Sequence, residues 1–152
     1  MKVFLVRHAD AGDREAWPGD DASRPLNARG RDQAEALARA LGAEGVERVL
    51  SSPYLRCVET VQPLTRARQL PVELEEALAE GSGGRGALEL VTRAAAPPVL
   101  CSQGDVIGEL VTAFVSDGLV ATPGAHWQKA STWILVVEGG TVTSATYRPP
   151  PA

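Results

Sequence analysis

Arg7-His8, Arg56 and Gln103-Gly104 are far apart in the chain, yet each follows a short apolar run. Arg7-His8 closes the run Lys2–Val6. Arg56 comes just after Val46–Leu50 and the Ser51-Ser52-Pro53 that ends it. Gln103-Gly104 closes Val99–Ser102. Guanidinium forks grip two oxygens of an anion at once, and a helix start adds its own backbone donors. A neutral imidazole nitrogen in such a pocket can attack phosphorus and carry the group covalently. Taken singly, a strand-end His is ordinarily a hydrogen-bonded structural residue and an Arg on a first helical turn is ordinarily solvated. Taken together, two cations on one edge repel each other unless an anion or an acid joins them.

The elements needed to bring these positions together are legible as alternating patterns. Lys2–Val6, Val46–Leu50 and Val99–Ser102 are expected to be buried strands, and Leu70–Leu74 a short one. A helix is expected from Asn27, with Ala34, Leu37, Ala38 and Leu41 on one face and Gly42 as its stop. A second is expected to be capped by Ser52 with Pro53 in its first position, followed by a stripe through Tyr54, Cys57, Val58 and Val61. Ala87–Ala96 and Val106–Val115 read as further helices, with Gln103-Gly104-Asp105 as a turn. Asp10–Arg24 and Glu73–Gly86 read as surface loops, and Ser131–Val137 and Thr141–Tyr147 as a hairpin around Gly139-Gly140. Strands alternating with helices imply an α/β domain, a mainly parallel sheet sandwiched in three layers. In such folds ligands bind outside the carboxyl ends of the strands. Residues 1–147 are expected to be one domain and 148–152 a Pro-rich tail.

Composition narrows the function classes. The chain has 152 residues, 44% hydrophobic and 22% charged, with a formal net charge of −4. That balance suits a globular domain and argues against nucleic-acid binding by bulk charge. No apolar run approaches the ~18 residues of a membrane span, and the start turns charged too early for a secretory leader, so the cytoplasm is the expected compartment. Cys57 and Cys101 form no metal-ligand spacing and are expected to be reduced core residues.

The motifs then resemble a family. Val6-Arg7-His8-Ala9 is similar to the signature of the histidine phosphatase superfamily, whose fold is that of phosphoglycerate mutase. Leu50-Ser-Ser-Pro-Tyr-Leu-Arg-Cys-Val-Glu-Thr60 resembles its second motif, and Arg24-Pro-Leu-Asn-Ala-Arg-Gly30 the segment between them. The compact length resembles the phosphohistidine phosphatase branch. The resemblance implies His8 as nucleophile and transient phosphohistidine, with Arg7 and Arg56 holding the phosphoryl oxygens. It implies hydrolysis by water, no metal and no cofactor. The expected partner is a phosphohistidine protein or a small phosphorylated molecule. The resemblance also places the general acid near Leu78-Ala-Glu-Gly81, making Glu80 the candidate.

One position departs from the pattern. Where the family carries a second His, this chain has Gln103, followed by Gly104. An amide donates to a phosphoryl oxygen but brings no charge, a cost of about ten- to a hundredfold in rate. His126 and Lys129 precede an expected strand and are candidates to restore the charge. Two readings therefore stand: a metal-independent phosphatase, or a phosphate- or phosphoprotein-binding module that has lost turnover.

Overall fold

The computed structural model describes residues 1–121 and 124–152. Its strands are β1 (Lys2–Arg7), β2 (Arg48–Ser51), β3 (Val72–Leu74), β4 (Pro98–Ser102), β5 (Thr132–Glu138) and β6 (Thr141–Arg148). They form one sheet in the order β3-β2-β4-β1-β5-β6. The first four in that order are mutually parallel, and β5 and β6 are antiparallel to their neighbours. Arg7 pairs with Ser102 and Ser51 with Cys101, so the carboxyl ends of β1, β2 and β4 are level. Thr132 of β5 pairs with Val6, so the segment just before β5 arrives at the same edge.

The helices are α1 (Ala28–Leu41), α2 (Leu55–Arg68), α3 (Arg85–Thr92) and α4 (Gly104–Ser116). Alternation along β1 sends Phe4 and Val6 to one face, against Leu37 and Leu41 of α1 and Val61 and Leu64 of α2. Val3 and Leu5 face the other side, against Val91 of α3 and Ile107, Leu110 and Val111 of α4. The result is three layers, with β1 and β4 buried on both faces as their unbroken apolar runs require. Cys57 and Cys101 are free and buried in the first of these faces, and burial pushes the Cys101 thiol well above its ordinary range. Among the described residues no helix is long and apolar enough to cross a membrane.

Several boundaries differ from the sequence expectation. The second helix starts at Leu55 rather than Pro53, because Ser52 and Pro53 form a preceding turn in which the Ser52 hydroxyl accepts from the Tyr54 N–H at 3.2 Å. Gln103-Gly104-Asp105 is not a free turn: Gln103 is the N-cap of α4, and Gly104 and Asp105 are its first residues. The third helix occupies Arg85–Thr92 rather than Ala87–Ala96, since the residues after Thr92 are spent reaching β4. The Glu73–Gly86 segment is no plain surface loop. It holds the end of β3 and a one-turn helix, Glu76–Leu78, with Leu78 fully buried. The Asp10–Arg24 segment likewise holds two single-turn helices, capped by the side chains of Asp13 and Asp20.

Candidate active site

His8 sits where β1 ends, and its surroundings fix it on several sides. Its backbone N–H donates to the Ser102 carbonyl at 3.2 Å, while the Ala130 N–H is shared between the Arg7 and His8 carbonyls, both at 3.1 Å. Ala130 takes φ +65°, a left-handed conformation that costs an Ala about 1–2 kcal/mol, to reach them. The next N–H, of Ala9, donates to the Thr60 hydroxyl at 2.9 Å, and that hydroxyl donates to the Arg56 carbonyl at 2.6 Å. The two motifs are thus joined through the backbone beside the imidazole.

The imidazole itself is set in one tautomer. Nδ1 lies 2.8 Å from the Ala9 carbonyl, which can only accept, so Nδ1 carries the proton and Nε2 the lone pair. The residue is 5% exposed. Burial lowers its pKa to about 3, helped by the charges of Arg56, Arg7 and Lys129 and opposed by the Ala9 hydrogen bond. His8 is therefore a neutral nitrogen base across the physiological range.

Around it stand donors without partners. Arg7 gives one N–H to the Trp127 carbonyl, Nη1 to O 2.9 Å, but its buried Nε has no partner. Burial, then the neighbouring Arg56, holds the Arg7 pKa below its ordinary value. Gly104 lets the Arg7 guanidinium lie against the start of α4, since a Cβ there would sit 3.0 Å from its central carbon. Arg56 is fully buried, and its Nε is also unpartnered. Gln103 is 1% exposed, and neither its amide nitrogen nor its oxygen is hydrogen-bonded. Buried polar groups are nearly always paired, so this concentration of orphans beside a His marks a place for a ligand with several oxygens.

Arg56 is otherwise held by acids. Its Nη1 donates to the Asp21 carbonyl at 2.8 Å and its Nη2 to the Asp21 carboxylate at 3.1 Å, while Glu80 Oε1 lies 3.6 Å from Nη2. The Tyr54 ring covers the guanidinium at 4.9 Å. Asp21 also takes Arg24 at 3.1 Å and Arg14 at 3.4 Å. Burial opposes its ionisation, but the hydrogen bonds and charges of Arg24 and Arg56 prevail and keep its pKa below the ordinary carboxylate value.

Glu80 reaches the site because Leu78 is buried and its carbonyl accepts from Ser102 Oγ at 2.6 Å, tying that segment to the end of β4. Its carboxylate bridges Arg14 at 2.7 Å and Arg56. A cavity of about 890 Å³ opens over His8, lined in part by Arg7, His8, Glu80, Gly104 and Lys129, while Arg56 and Gln103 lie buried behind its wall and do not line it. Lys129 sits 3.6 Å from the Asp10 carboxylate. His126 stands apart: it is exposed, its ring lies 5.7 Å from that of Tyr147, and it does not line the cavity. The structure adds Asp21, Arg14, Arg24 and Thr60, which sequence reasoning did not single out. Among the described residues no group of three or more His, Cys, Asp or Glu is placed to hold a metal ion.

This arrangement has a family. The model of the histidine phosphatase superfamily (branch 1) matches residues 3–94, and the chain belongs to that family. Among its relatives is the 8-oxo-(d)GTP phosphatase of Mycolicibacterium smegmatis, 36% identical over 155 residues, covering 98% of this chain and 48% of the relative. The phosphohistidine phosphatase SixA of Escherichia coli is 38% identical over 77 residues, 49% of this chain and 46% of that protein. The matches thus take in about half the length of these curated relatives. The fold is shared with the protein histidine phosphatase SixA solved with tungstate, at a TM-score of 0.71 and 24% identity, over 97% of this chain and 94% of the other.

Proposed function

We propose that the protein is a phosphatase in which His8 Nε2 attacks phosphorus. The observation that carries this is the set of buried, unpartnered donors, Arg7 Nε, Arg56 Nε and Gln103 Nε2, beside a neutral imidazole whose free nitrogen is set by the Ala9 carbonyl. In the first step the Nε2–P bond forms as the bond from phosphorus to the leaving group breaks. Arg7, Arg56 and Gln103 take the charge on the equatorial oxygens. Glu80, after taking a proton from solvent, is the candidate to pass it to the leaving atom. Water then attacks the phosphohistidine, gives its proton back to Glu80, and releases phosphate with His8 neutral again. Gly104, at the start of α4, and Lys129 both line the cavity and are the candidates to add donors to the anion.

The residues hold the charge with guanidinium groups, so the chemistry is proposed to be metal-independent. The substrate is a phosphohistidine protein or a small phosphorylated metabolite, a choice echoed in the names of the two relatives. Gln103 favours a second reading, a binding module without turnover, because a neutral amide stands where the family pattern has a His. Hydrolysis of an aryl phosphate in the presence of a chelator, with vanadate as inhibitor, separates the two. The phosphatase reading expects turnover and competitive inhibition. Tight vanadate binding without any turnover would leave the binding module.

A further inference from the structure

The cavity extends well beyond the phosphoryl site, and its far wall has a chemistry of its own. Gly104, Asp105, Gly108, Glu109 and Thr112 all line it, a spacing that puts them on one face of α4. At Gly108 a Cβ would meet Cζ2 of Trp127 at 2.9 Å and Cε2 at 3.0 Å, so the missing side chain makes room for the indole. The same Trp127 is tied to the phosphoryl site through its carbonyl, which accepts from Arg7. Asp105 is engaged by the Gly81 N–H at 2.8 Å, whereas the exposed Glu109, next to Gly108, has no hydrogen-bond or ion-pair partner among the described residues.

Resting on the phosphatase reading, we propose that Trp127 and Glu109 form a leaving-group subsite for a flat nitrogen heterocycle bearing N–H donors, as in a guanine nucleotide. The cavity is divided by charge. Arg7, Arg14, Arg24 and Lys129 line it with cations, interleaved with Asp13 and Glu80, whereas the charged residues of α4 that line it, Asp105 and Glu109, are acids alone. A substrate anchored by its phosphate must send its other end toward the aromatic ring and the free carboxylate. A second anionic group is repelled there, and a plain polyol uses neither feature. An indole offers a stacking face to a base. A carboxylate accepts from the ring N–H and the exocyclic amine of guanine together, while adenine turns an unprotonated ring nitrogen toward it. Position decides against a phosphoimidazole ring, which hangs directly on phosphorus at the Gly104 end. Trp127 lies against Gly108, about 6 Å farther along the helix axis, a gap that a pentose spans.

The test is calorimetry on the inert His8→Ala protein with guanosine 5′-monophosphate, adenosine 5′-monophosphate and ribose 5-phosphate, alongside hydrolysis of the same compounds and of phosphoimidazole by the wild type. The guanine nucleotide is expected to bind at least about tenfold tighter than ribose 5-phosphate, as one stacked base supplies. It is also expected to bind several-fold tighter than the adenine nucleotide. Glu109→Gln should remove most of the guanine preference and leave ribose 5-phosphate binding unchanged. Equal binding of guanosine 5′-monophosphate and ribose 5-phosphate overturns the subsite while the phosphatase stands. So does a guanine advantage that survives Glu109→Gln, or faster turnover of phosphoimidazole than of the nucleotide. Failure of every compound to bind, ribose 5-phosphate and inorganic phosphate included, overturns the phosphatase reading as well.

Discussion

The two arginines beside His8 are held in opposite ways. Arg56 is held by acids: Asp21 takes both of its terminal nitrogens, Glu80 stands nearby, and Asp21 is shared with Arg14 and Arg24. Arg7 is held by a neutral carbonyl and by the close start of α4. The Arg56 wall therefore sets two carboxylates, Asp21 and Glu80, among the three guanidinium groups of Arg56, Arg14 and Arg24 before any ligand arrives. On the Arg7 wall, Arg7 Nε and the Gln103 amide are unpartnered, and among the described residues no carboxylate forms an ion pair with Arg7. One wall is preorganised by its own carboxylates, and on the proposed mechanism the other is completed by the anion. A cation held by fixed carboxylates need not reorganise when the phosphoryl group transfers, which is where such sites gain most of their rate.

The largest test of this contrast removes what both walls face. His8→Ala should leave the far-ultraviolet circular dichroism unchanged and reduce aryl phosphate hydrolysis to the level of the buffer. Retained activity would mean that neither wall serves a covalent step. Next come the walls themselves. Arg7→Ala should cost about 10²–10³ in kcat, as for loss of an oxyanion donor. Asp21→Ala, which touches no substrate, should cost about tenfold to a hundredfold through misplacement of Arg56. Because it also removes a negative charge, it should leave inorganic phosphate binding as tight or tighter. A parallel loss of phosphate affinity in Asp21→Ala would show that Asp21 merely supports the fold.

A smaller effect is read in stability. His8 has its pKa lowered to about 3 by burial first, from an ordinary value near 6.5. Below pH 6.5 the unfolded chain takes up a proton on this residue while the folded one does not. Stability should therefore fall as pH is lowered, by about 1.4 kcal/mol per pH unit at the steepest. Urea unfolding between pH 6.5 and 5, above the carboxylate range, should show this slope in the wild type and lose it in His8→Gln. Equal slopes would mean that the imidazole is solvated.

The smallest change sharpens the contrast most. Gln103→His adds a titratable cation to the wall that lacks a counter-charge, and should raise kcat by about 3–30-fold, most at or below pH 6.5. A fall in activity would show that the Gln103 amide makes a contact that an imidazole cannot replace.

Much of this geometry was legible in the chain. Apolar runs ending in Arg7-His8 and before Arg56 place both at one sheet edge, because parallel strands align their carboxyl ends. Gln103 was legible as a site position, but its place as the N-cap of α4 was not, because Gln is a poor capping residue. Asp21 was hidden for a different reason. It lies in a segment with no period, and its role depends on two single-turn helices that bring it across to α2. Glu80 was reached by family resemblance alone. What delivers it is the burial of Leu78, an anchoring contact that no local pattern announces. His126 and Lys129 lie close together in sequence, yet only Lys129 lines the cavity, because the chain turns at Ala130 to enter β5.

On the proposed mechanism a phosphoryl group passes through His8 between the two walls, and that passage can be caught directly. Rapid acid-free quenching of the wild type during turnover of a small aryl phosphate, followed by peptide mass spectrometry at alkaline pH, should show one phosphoryl group on His8, labile to acid and absent from His8→Ala. Steady turnover with His8 unlabelled at every quench time, or with the label on another residue, would contradict the covalent role of His8.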